Sequence, residues 1–142
     1  MKIKVSEASS VVLDWMVATC EGGFDLHQRI DWHNKPWAFF FRDEEDPERV
    51  DKFYLNEYEP SIDWAQGGPI IEREFMDLET VPCGPASENV KFDTWRAWVN
   101  YPDQDAVCAT GPTPLIAAMR CYVASKLGDE VEVPDELTTL VK

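Results

Sequence analysis

Positive charge is scarce in this sequence. Lysine and arginine number 13 against 27 aspartates and glutamates, which leaves a formal net charge of −14 at neutral pH. A chain of this sign is repelled by phosphate and lacks the basic footprint that nucleic-acid binding uses, and an acidic membrane surface repels it in the same way. Histidine is nearly missing, His27 and His33 being the two present. The four cysteines, at 20, 83, 108 and 121, form no CxxC pair and no close group with histidine, which argues against zinc. No stretch approaches the roughly 18 apolar residues of a membrane span. The N-terminus carries Lys2 and Lys4, but the apolar stretch behind them is broken by Glu7 and Asp14 and has no cleavage-site pattern, so no signal peptide is expected. Reduced thiols in a cytosol are the expectation. GxSxG, HExxH and the GxxxxGK phosphate loop are also absent, which removes the common nucleophile, zinc and nucleotide machineries.

What is present suits a packed domain. Apolar residues make up 44% and aromatics 12%, six of them tryptophan, too much apolar material for a disordered chain. A length of 142 residues encloses one core without disulfide or metal support, so one domain over residues 1–142 is expected.

From Ser6 the sequence predicts a helix: serines are available as caps, apolar residues recur through Val11, Val12, Trp15, Val17 and Ala18, and glycines follow Glu21. Trp15 is its core anchor. Residues 24–36 show no period and read as loop. Trp37 to Arg42 is a short aromatic run behind a proline, which predicts a buried strand whose solvated end is marked by Asp43, Glu44, Glu45 and Asp46. Residues 47–59 mix tyrosine and charge without periodicity. Beyond them Ser61 and Asp63 are good caps, yet Gly67, Gly68 and Pro69 oppose a continuous helix. Either the helix starts at Pro69, or a longer helix tolerates a kink there. Phe75 to Val81 reads as an edge strand.

Asp93 to Asn100 and Asp105 to Thr110 flank the turn-like Tyr-Pro-Asp-Gln and predict a hairpin, with Trp95, Ala97 and Val99 on one face and Thr94, Arg96 and Trp98 on the other. Thr113 to Leu127 is the clearest helix. Thr113 is the cap, Pro114 the first helical residue, and Leu115, Ala118, Met119, Tyr122 and Val123 form its apolar stripe before Gly128. The acidic stretch beyond predicts a short edge segment and a frayed tail.

Three sets of residues are candidates for binding. At Trp64, Gln66, Gly67 and Gly68, missing side chains let a ligand approach the backbone while an aromatic stacks and an amide donates and accepts. The structural explanation, which is favoured, is a tight turn with Trp64 filling the core. At the start of the last helix, Thr113 and free amides could meet an anion, although capping explains them as well, and Arg120 could serve an anionic ligand or pair with surface acids; for a ligand at Trp64 and the Gly67-Gly68 turn, Arg120 or Arg73 is the base. The acidic residues Asp43, Glu44, Glu45, Asp46 and Glu48 form the third set, a face for a basic protein partner. For catalysis, Asp63, Glu72 and Glu74 could supply paired carboxylates, and Cys121 with His33 is a formal pair, but no sequence feature sets their separation. No catalytic residue, metal ligand or cofactor is therefore assigned.

The words YEPSIDWAQGGPIIERE at 58–74, the tryptophan strand, and GPTPLIAAMRCYVASKLGDEVEVPDEL at 111–137 resemble the small phage proteins called NinX. The resemblance covers Tyr58 to Glu74 and Trp95 to Leu137, with a weaker echo at Leu13-Asp14-Trp15 and nothing over residues 24–57. It implies a phage accessory protein and brings no mechanism with it. The order of helix, strands and helix is also similar to a phage α-β-α sandwich domain, from whose unbroken leading helix Gly67, Gly68 and Pro69 depart. The expected fold is thus α+β, a small antiparallel sheet packed between helices. The expected role is non-enzymatic: inhibition or decoy of a host factor, such as a defence component, through a basic surface in the host cytoplasm. A sponge for a small anionic ligand such as a nucleotide signal is the alternative, a carboxylate-based hydrolase the third, and self-association stays open.

Overall fold

The computed structural model describes residues 1–8, 10–22, 38–42, 45, 48, 50–54, 57–83, 91–135 and 137, with backbone alone at 10, 38–42, 50–54, 83 and 91–93. Along them run β1 (Lys2–Lys4), a 3-10 turn (Val5–Glu7), α1 (Ser10–Cys20), β2 (Ala38–Arg42), β3 (Val50–Tyr54), α2 (Trp64–Arg73), β4 (Asp77–Cys83), β5 (Lys91–Val99), β6 (Val107–Gly111), α3 (Pro114–Leu127) and β7 (Glu130–Glu132).

The last helix organises the rest. Thr113 caps α3 as its sequence predicts, the hydroxyl oxygen accepting from the Ile116 amide at 3.1 Å, and Gly128 ends it at a φ of 89°. All five residues of the expected stripe are buried, but so are Ala117 and Cys121, so the apolar surface runs further round than a single stripe. A helix of this kind needs cover on more than one side. It lies on β5 and β6, and α1 and α2 pack against it in turn. The α+β class and the antiparallel sheets agree with the sequence. Each full burial of a side chain such as Leu13, Met16 or Met119 contributes about 1.5–3 kcal/mol.

The hairpin is where it was expected. β4, β5 and β6 form an antiparallel sheet in that order, with Trp98 opposite Asp77 on one neighbour and Cys108 on the other. Ala97 and Val99 are buried against the helices, with Trp95 packed beside them, while Arg96 and Trp98 take the other face. Among the described residues β4 pairs with β5 alone and lies at the edge of the sheet, and its register shifts between Val81 and Pro82, where a proline has no amide to donate.

Several boundaries differ from the sequence reading. α1 starts at Ser10 and not at Ser6, because Val5 is drawn into the core as part of the 3-10 turn and its amide donates to the Asp129 carbonyl at 2.9 Å. α2 starts at Trp64, with the Asp63 carboxylate accepting from the Ala65 amide at 2.9 Å, and Pro69 lies inside it. Of the two alternatives for this helix, the longer one is present. Pro69 leaves the Ala65 carbonyl without a helical donor, and Ala65 is exposed, so water can serve it. β3 falls in the stretch that showed no period, paired with β2 from Ala38 opposite Tyr54 to Arg42 opposite Val50. Trp37 and the loop at 24–36 lie outside the described residues.

The chain ends are tied together. The words KIK and EVE pair as β1 and β7, Ile3 opposite Val131, with Lys2 opposite Glu132 and Lys4 opposite Glu130. Opposite charges thus face across the ladder while the apolar pair turns inward. The C-terminal segment is not frayed as far as Leu137: Val133 and Leu137 are buried, and the Val133 amide donates to the Met1 carbonyl at 2.8 Å. An acidic reading of this stretch overlooks that its valines and leucine complete the core.

Candidate functional site

The turn before α2 is held by Gln66. Its side-chain oxygen accepts from the Glu59 amide at 2.8 Å, and its nitrogen donates to the Glu57 carbonyl at 2.7 Å and to the Asp63 carboxylate at 3.1 Å. Gly67 sits where α2 meets the first turn of α3: a Cβ there would lie 2.3 Å from the Pro60 carbonyl oxygen and 2.6 Å from a Leu115 methyl. This glycine answers a close approach and not a tight turn. Gly68 is more open, its nearest neighbour being the Trp64 ring. Trp64 itself is 53% exposed, so it does not fill the core, contrary to the structural explanation offered from sequence. An aromatic at the first helical position points away from the face that Gly67 and Ile70 bury.

Between α1, α2 and α3 lies a group of polar side chains that the sequence did not disclose. Asp14 is buried in α1 and accepts from the Ser61 amide at 2.9 Å, joining α1 to the turn before α2. Burial pushes its carboxyl up to about 6, and the hydrogen bond from Ser61 pulls the other way. Further along the seam Arg73 donates to Glu21 at 2.9 Å and to the Tyr122 hydroxyl at 3.2 Å, with the Tyr122 ring 5.7 Å below the guanidinium. Glu74 lies 3.6 Å from both Arg73 and Lys126. Burial raises the Tyr58 and Tyr122 phenols and pushes the Cys20 thiol up to about 12. The available signal in sequence was an aspartate three residues after Val11 and four before Ala18, a spacing that a helix period places on the apolar face.

The start of α3 is also internally committed. Thr113 is the cap, and Arg120 donates to the Ala8 carbonyl at 2.8 Å and the Thr110 carbonyl at 2.9 Å, fastening the 3-10 turn and β6 to α3. Arg120 therefore serves two backbone carbonyls, where an anionic ligand or surface acids were its expected alternatives, and burial lowers its pKa. The structure brings Gly67 onto the turn that Thr113 caps. It sends the side chains of Gln66, Arg73 and Arg120 to three different sets of partners.

For the carboxylates named as catalytic candidates, Asp63 is the α2 cap, Glu72 is exposed and Glu74 faces Arg73 and Lys126. The Cys121 thiol is pushed up to about 12 by burial and donates to the Val107 carbonyl; His33 lies outside the described residues. Among the described residues no three His, Cys, Asp or Glu side chains gather to hold a metal ion, and no helix is long and apolar enough to cross a membrane. Of the acidic set, Glu45 and Glu48 are exposed, while Asp43, Glu44 and Asp46 lie outside the described residues. On the outer sheet face Glu79 accepts from the Trp98 indole at 2.9 Å and from Arg96, and these two bonds hold its carboxyl below the usual range. The arrangement as a whole fixes shape from within and leaves carboxylates on the outside.

A protein-family model described as "Bacteriophage P22, NinX" matches residues 4–126 of the chain. No curated protein matches it.

Proposed function

This chain belongs to the NinX family of bacteriophage P22, and on that premise we propose that it acts by contact, as a phage accessory protein that binds a basic surface of a host factor. The binding inhibits that factor or draws it away, in the host cytoplasm, and a component of host defence is the kind of target meant. One observation carries this reading: the net charge is −14, while Gln66, Arg73, Thr113 and Arg120 already hydrogen-bond to partners within the chain. Excess negative charge on a surface steers basic partners and repels phosphate. A pocket for a nucleotide signal beside Gly67 has less support, because Pro60 and Leu115 already fill that face.

The test is capture from host lysate on immobilised chain, identification of what is retained, and affinity of the purified partner at two salt concentrations. Weakening of about tenfold between low and moderate salt is expected for a contact of this kind. Reversing Glu45 and Glu48 to lysine should weaken it further. Failure to retain any partner, or an affinity indifferent to salt and to these reversals, would overturn the reading.

A further inference from the structure

The end of α2 contains a residue that folding does not explain. The Phe75 amide donates to the Glu72 carbonyl at 3.3 Å and the Met76 amide to the Ile71 carbonyl at 3.1 Å, the two bonds of a Schellman helix end. Met76 is buried and Ile71 packs against the core, giving the apolar contact that accompanies this motif. The residue between them must be left-handed, and Phe75 has a φ of 52°. Glycine is the usual occupant, because a side chain there meets its own backbone. Here the occupant is a phenylalanine, and the residue is 87% exposed. The left-handed backbone costs stability, and the exposed ring recovers almost none of it by burial.

We propose that Phe75 is the apolar anchor of the contact surface, held outward by the helix end so that its ring enters a pocket on a basic protein partner. This rests on the reading of the chain as a binder of basic surfaces and adds the place and the anchor. Charge supports the occupant. Glu72 and Asp77, three and two positions away in the chain, are exposed, and Glu21 and Glu74 share the nearby bases Arg73 and Lys126, four carboxylates against two cations. An exposed aromatic in acidic surroundings matches an apolar pocket ringed by lysine or arginine. A second copy of this chain is a poor occupant, since each copy carries −14.

Two experiments test this. First, Phe75→Gly should raise Tm by about 2–3 °C as the left-handed strain is relieved. A fall in Tm would mean that the ring supports the fold, and the proposal would be wrong. Second, a benzophenone amino acid placed at 75, and separately at Glu48 and at Asp103 as a control on the β5–β6 turn, is irradiated in host cells and the adducts are identified. Adducts from position 75 to a protein with a basic, pocketed surface, well above those from 103 and lost in competition with unlabelled wild type but not with Phe75→Gly, are expected. Adducts from 48 without adducts from 75 would leave the basic-partner reading standing and remove Phe75 from it. Absence of adducts at both positions removes both, and adducts confined to a second copy of the chain replace the partner with self-association.

Discussion

A single methyl group at position 67 has nowhere to go, because the Pro60 carbonyl and Leu115 already occupy its space. Backbone cannot move aside as a flexible side chain can, so Gly67→Ala should cost about 3 kcal/mol through overpacking. Denaturant unfolding measures this, and a loss under about 0.5 kcal/mol would mean that α2 and α3 separate more easily than their contact implies. Gly68→Ala, with only the Trp64 ring nearby, is the matched control. Asp14 gives the second prediction at this scale. Its carboxyl titrates at about 6 in the fold against 3.8 as the ordinary value, so the folded state binds more protons than the unfolded state between those pH values. Stability must therefore fall as pH rises through this window, and below it the effect disappears. Asn keeps an oxygen for the Ser61 amide and removes the buried charge. Asp14→Asn should be more stable than wild type at pH 8, by on the order of 2–3 kcal/mol, and nearly equal to it at pH 4. Unfolding curves at the two pH values check this, and an equal difference at both would show that ionisation is not the cause.

Each helix end makes its own contribution at the scale of elements. Thr113→Ala removes the acceptor for the Ile116 amide and should cost about 1 kcal/mol, with Thr113→Ser close to wild type, both read by thermal unfolding. If the serine variant were as unstable as the alanine one, the threonine methyl and not its oxygen would be the stabilising group. This cap was legible because Thr-Pro before an apolar period and Gly after it are local signals, and so were the two faces of β5. What local signals cannot show is which side of an element a distant segment covers. The buried stripe of α3 was read correctly, yet its wider apolar surface, carried by Ala117 and Cys121, has meaning only once α1 and α2 are seen to pack on it. β1 was invisible for the same reason, and the short edge segment expected after α3 could not show its partner: KIK and EVE become a pair only when Lys2–Lys4 and Glu130–Glu132 meet. Among candidate residues, Gln66, Arg73 and Arg120 were noticed for their chemistry, but their partners lie as far away in sequence as Glu21 and Ala8. Phe75 was read as the first residue of an edge strand, since a sequence pattern has no means of showing a left-handed φ.

For the whole molecule, charge acts on stability and on binding with opposite signs, which allows the two to be separated. A fold carrying −14 repels itself, and the ion pairs it contains, such as Arg73 with Glu21 and Arg96 with Glu79, involve mostly exposed bases. Exposed pairs contribute about 0–1 kcal/mol each, too little to offset a general excess of carboxylate. Added salt screens long-range repulsion once the Debye length falls to about 10 Å, near 0.1 M. The isolated chain should therefore gain a few degrees of Tm between about 20 and 200 mM sodium chloride, while its affinity for a basic partner falls over the same range. Both quantities come from one salt series, by calorimetry for the free chain and by binding to the captured partner. Parallel losses would mean that the internal ion pairs outweigh self-repulsion, and the surface would then be a structural network. Opposite trends would mean that the carboxylates destabilise the free protein and are compensated only in the complex, which is what a surface made for a basic partner requires.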